Sequence, residues 1–105
     1  MTTIRIFRSK DGYKGFISDG HSGYAEAGSD IVCAAISVLT INTINSIESL
    51  AGDKVEASEK DGHLECRFPE KTSEKADLLM DAMVLGLKSV EENYRESLRI
   101  EFEEV

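Results

Sequence analysis

The chain has 105 residues, with 20 acidic and 12 basic side chains and a formal net charge of -8. That length predicts one domain over residues 1–105, burying roughly 65% of its unfolded surface in a modest core. The acidic balance excludes nucleic-acid binding driven by net charge and favours a basic partner.

No apolar run reaches the roughly 18–20 residues expected of a membrane span, and the start lacks a signal-peptide core. Cys33 and Cys66 are too few for a disulfide framework. With only two histidines beside them, no structural metal site is expected. These features predict a soluble, reduced, cytoplasmic protein.

Thr3 to Arg8 alternates as a strand. Ser9-Lys10-Asp11-Gly12 supplies a turn, and Tyr13 to Ser18 reads as the returning strand. Asp19 to Asp30 is rich in glycine and small residues, so it reads as a loop. Ile31 to Leu50 has helical apolar spacing, with Ser29 or Asp30 as N-cap and Gly52 just past its end. Its first half is apolar nearly all round, which predicts burial on several sides.

Lys54 to Ser58 and His63 to Phe68 form a second predicted hairpin around Asp61-Gly62. Ser73 to about Glu96 reads as a second helix with Leu78, Leu79, Ala82, Met83, Leu85, Val90 and Tyr94 on its apolar side. Leu98, Ile100 and Phe102 alternate with charged residues as a last strand. The order β-β-α-β-β-α-β predicts an α+β fold in two layers, a mostly antiparallel sheet with helices on its faces.

The chemistry concentrates between residues 19 and 33. His21 stands at the exit of a strand, and Cys33 in the first predicted turn of a helix. A free thiol has a pKa near about 8.5, and a helix dipole and an imidazole both favour the reactive thiolate. Backbone N–H groups at a helix start stabilise an oxyanion. The plainer reading of Cys33, among Ile31, Val32, Ala34 and Ala35, is a small core residue, and of His21 a loop histidine. Cys66, mid-strand between Leu64 and Phe68, reads as core, and His63 as solvent-facing.

Asp30, three residues before Cys33, either orients His21 or caps the helix. Ser37, four residues after Cys33, faces the same way. A phosphate cradle in the glycine loop is disfavoured: there is no Lys or Arg between Lys14 and Lys54, and Glu26 and Asp30 oppose an anion. A redox or acyl-transfer thiol enzyme lacks a nearby resolving cysteine and any cofactor motif.

The run from Gly20 to Ala35 resembles the G-H-x-x-[YF]-A-x-x-G-x-D-[IV]-[VC]-C-[AS] signature of the bacterial ribosomal-processing cysteine proteases, the Prp family. The resemblance implies a cytoplasmic homodimer without cofactor or metal. Its substrate would be a basic large-subunit ribosomal protein, from which it cuts an N-terminal extension. It implies Cys33 as nucleophile and His21 as base, with Asp30 and Ser37 supporting. Gly20 would let the loop move, and Ser22, Gly23, Tyr24, Glu26, Gly28 and Ser29 would bind the peptide. No direct nucleic-acid or membrane partner is expected. The competing expectation is a non-enzymatic acidic binder or chaperone for a basic ribosomal protein.

Overall fold

The structure, a computed structural model, describes residues 1–20 and 31–105 in full and residues 27–30 as helix backbone. The elements are β1 (Thr2–Ser9), β2 (Gly12–Gly20), α1 (Ala27–Ser46), β3 (Glu56–Lys60), β4 (His63–Arg67), α2 (Glu74–Asn93) and β5 (Leu98–Glu104). The expected order and the α+β class both hold. The five strands form one sheet in the order β3-β4-β2-β1-β5.

Both hairpins follow from turn chemistry. The Ser9 hydroxyl accepts the Asp11 N–H at 3.1 Å, and Ser9 pairs with Gly12. In the second turn Asp61 and Gly62 have φ of 49° and 79°, both in the left-handed region of a type I′ turn. A two-residue turn forces Lys60 to pair with His63. The strand expected at Lys54–Ser58 therefore lies later, at Glu56–Lys60.

The hairpin pairs are antiparallel, but β5 runs parallel to β1, with Ile4 opposite Ile100. The reason is the connection: α2 carries the chain back along the sheet, so β5 runs in the same direction as β4.

Both helices lie on one face rather than on two. Ile4, Ile6, Phe16, Leu64, Cys66 and Leu98 point to that face and share one buried cluster with helix residues. The opposite face is open and laced with ion pairs, including Arg5–Glu103 at 2.6 Å and Arg99–Glu101 at 3.2 Å.

α1 starts at Ala27, four positions before the expected Ile31, so Ser29 and Asp30 lie within its backbone and do not precede it as caps. The helix widens into a π-helical turn, Ile47–Ala51, and stops where expected. Gly52, at φ 76°, donates its N–H to the Ile47 carbonyl at 2.9 Å. Contrary to the sequence expectation, Ile31–Ala51 is long and apolar enough to cross a membrane by length and composition. Here Val32, Ile36, Ile44 and Ile47 are core. Its two buried threonines satisfy themselves: Thr40 and Thr43 donate to the carbonyls of Ile36 and Leu39 at 2.8 and 2.6 Å. Burial is one-sided, with Ile31 59% and Val38 67% exposed.

α2 buries Ala76, Met80, Met83, Val84 and Leu87. The expected stripe is displaced, and Leu78 and Leu85 are exposed. This helix carries apolar residues on two sides, so periodicity alone did not select the buried one. It also ends at Asn93, short of the expected Glu96. The two helices approach closely at Gly86, where an added Cβ would lie 2.9 Å from Leu39 Cδ2.

Candidate active site

Pairing with β1 carries β2 on to Gly20, two residues beyond the expected end at Ser18. α1 then lays Cys33, Ser37 and Thr40 along one stripe, since positions i, i+4 and i+7 of a helix share a side. That stripe faces Ser18 and Gly20 across a cavity of about 110 Å³, which Glu59, Gly62 and Leu64 of the second hairpin also line. Three of the predicted site residues, Gly20, Cys33 and Ser37, are thus brought together. Cys33 is a free, half-buried thiol. Ser37 is exposed at the rim.

Because α1 begins at Ala27, Cys33 is its seventh residue and stands in the second turn. The expected placement in the first turn is corrected, and with it the expectation of a strong dipole effect, which decays within one turn.

Gly20 has a packing reason of its own. A Cβ there would lie 2.6 Å from Thr2 Cα, and the Gly20 N–H donates to the Gly62 carbonyl at 3.2 Å. The glycine lets β1, β2 and the turn between β3 and β4 converge beside the cavity.

His21, Ser22, Gly23, Tyr24 and Glu26 lie outside the described residues, as do the side chains of Ser29 and Asp30, and Gly28 is described only as helix backbone. His21 follows Gly20 directly in the chain.

Cys66 is the contrast. It is 2% exposed and paired with Phe16, and burial, with a smaller contribution from the Glu48 carboxylate, pushes its thiol up to about 12. His63 sits on the open face as expected, its Nδ1 3.4 Å from Asp19 Oδ1.

A larger cleft of about 580 Å³ lies on the open face, with Phe7, Lys14, Ile17 and Arg67 in its lining. It is the uncovered surface of the sheet and does not include Cys33. No group of three or more His, Cys, Asp or Glu that could hold a metal occurs among the described residues.

Sequence reasoning did not single out Glu59. The signal was present: a two-residue turn at Asp61-Gly62 sets Glu59 opposite Leu64, on the helix side of the sheet.

The comparisons with known proteins bear on this geometry. Residues 1–99 match the family model described as Cysteine protease Prp. The ribosomal processing cysteine protease Prp of Bacillus subtilis is 33% identical over 107 residues, covering 95% of this chain and 96% of that one. Among solved structures, the essential ribosomal processing protease Prp from S. aureus in complex with a substrate peptide superposes with a TM-score of 0.90. That pair is 28% identical over 98% of this chain and 100% of the other. The same protease with a covalently linked product peptide gives 0.88 at 29% identity, with coverage of 98% and 100%. Fold and sequence together define the class, that of the cysteine proteases. Within it, the chain belongs to the Prp family.

Proposed function

We propose that this protein is an endopeptidase that removes the N-terminal extension of a basic large-subunit ribosomal protein, with Cys33 as nucleophile and His21 as its base. The observation that carries the reading is the family match over residues 1–99, within which Cys33 and Gly20 line one cavity. Relatives named as ribosomal processing proteases support the substrate class, and the net charge of -8 suits a basic substrate.

In this mechanism the peptide lies across residues 20–29. The Cys33 thiolate attacks the scissile carbonyl, and a C–S bond forms as the carbonyl electrons move to oxygen. Collapse expels the amine, which His21 protonates. Water, deprotonated by His21, then hydrolyses the thioester and frees Cys33. The covalently linked product peptide of the S. aureus relative supports a route through such an intermediate. Asp30 orients His21, while Ser37 contacts the site from one turn along α1.

The enzyme acts in the cytoplasm as a homodimer. Exposed Ile31 and Val38 on α1, with Leu78 and Leu85 on α2, support a self-association surface.

Mass spectrometry of the ribosomal protein precursor, incubated with the purified protein, tests the reading. The expected result is a single cut that releases the extension, absent with Cys33→Ala. Equal binding of the precursor by both proteins, with cleavage by neither, establishes the binder instead.

A further inference from the structure

Glu59 occupies an unusual place on the edge strand. All five residues of β3 are exposed, and the register pairs Glu59 with Leu64, whose side chain points to the helix layer. Glu59 therefore faces the same side as Cys33 and Ser37 and lines their cavity. It is the one charged group in that lining among the described residues, and it makes no ion pair or hydrogen bond with another described residue. Lys60, its neighbour in the strand, pairs with His63 and points to the opposite face, so it does not neutralise Glu59.

An exposed carboxylate that shares its lining with apolar Leu64 and Ile36 offers the two kinds of contact a lysine or arginine can make. The alkyl stem packs on the apolar side chains and the cationic head reaches the acid.

We propose that Glu59 is a specificity-determining residue that selects a basic side chain of the substrate near the bond cut by Cys33. The proposal rests on the protease reading above and adds the chemistry of one subsite. Glu59 takes no part in bond making or breaking; it lowers KM for peptides carrying the cation at the matching position.

The test uses internally quenched peptides spanning the precursor junction. All native basic residues within three positions of the cut are replaced by norleucine, and a single lysine is then walked through those positions. The parent protein is expected to show one position where lysine lowers KM about threefold to fivefold, the range of an exposed ion pair. Glu59→Gln should erase that preference while kcat on the all-norleucine peptide is unchanged. Glu59→Lys should transfer the preference to glutamate at the same position. The preference should also fade in high salt.

The proposal is overturned if no lysine position is favoured, or if Glu59→Gln keeps the preference. It is also overturned if Glu59→Gln lowers kcat on every peptide and shifts the pH profile, because that would make Glu59 a positioning residue for His21. Fluorescence anisotropy with Cys33→Ala and dye-labelled versions of the same peptides separates the two readings. Lysine-dependent binding that Glu59→Gln removes, without cleavage by the parent, retains the subsite and rejects the protease. No lysine-dependent binding and no cleavage reject both.

Discussion

Cys66 lies between Phe16 and Ala57 in the sheet, and its thiol is held well above the ordinary range by burial. Cys33 is half-exposed beside a cavity. Iodoacetamide at neutral pH should therefore alkylate Cys33 first, and Cys66 only after unfolding, as read by peptide mapping. Early labelling of Cys66 with Cys33 inert overturns the assignment of the nucleophile. Tyr13 gives a second test. Burial, then its 2.5 Å hydrogen bond to Asp81, pushes its phenol up to about 12. The folded state favours the neutral phenol, so this contribution is fully present below about pH 10 and lost as the pH rises from there to about 12. A plot of Tm against pH should fall across that window, and less steeply for Tyr13→Phe. Gly20→Ala should cost roughly 1–3 kcal/mol in denaturant titration, because the added methyl overlaps Thr2. The sequence marked Gly20 as a site residue, but the strand contact that requires a glycine there became visible only with the register.

Between the two helices, Asp53 ties one element to the next. Both of its oxygens accept from Ser73, the backbone N–H at 2.8 Å and the hydroxyl at 2.6 Å, and the same Ser73 hydroxyl accepts the Ala76 N–H at 3.1 Å. The start of α2 is thus clamped to the chain just beyond Gly52. Asp53→Ala should cost about 1 kcal/mol and lower Tm, while leaving peptide cleavage unchanged. At this scale the hairpins were legible because Asp-Gly has few conformational options, as was the end of the first helix at Gly52. Its start was not. Residues 27–30 are small or polar, and nothing local distinguishes a loop there from the first turn of a helix supported by packing. The buried side of α2 was hidden for a related reason: Leu78 and Leu85 satisfy a helical apolar pattern as well as Met80 and Leu87 do, and only the sheet chooses between them.

For the molecule as a whole, the exposed apolar residues of α1 and α2 underlie the proposed homodimer. Leu85→Glu should shift sedimentation velocity from dimer to monomer, because a buried unpaired charge opposes association. A parent protein that sediments as a monomer removes the dimer from the proposal. The charge of -8 was legible from composition, but which apolar groups of the two helices stay exposed required the fold.

The parallel pairing of β1 with β5 joins residues 2–8 to 98–104. Such a contact spans nearly the whole chain, which raises contact order and slows folding. During synthesis β1 can pair with β2 early, yet its other edge stays open until residue 104 has left the ribosome exit tunnel. For most of its translation the nascent chain therefore carries a bare edge of alternating Ile4 and Ile6, the kind of edge that recruits other strands. A chain truncated after Glu96 should keep that edge permanently and accumulate as aggregate. This member of the Prp family thus completes its own sheet only after nearly the whole chain has emerged.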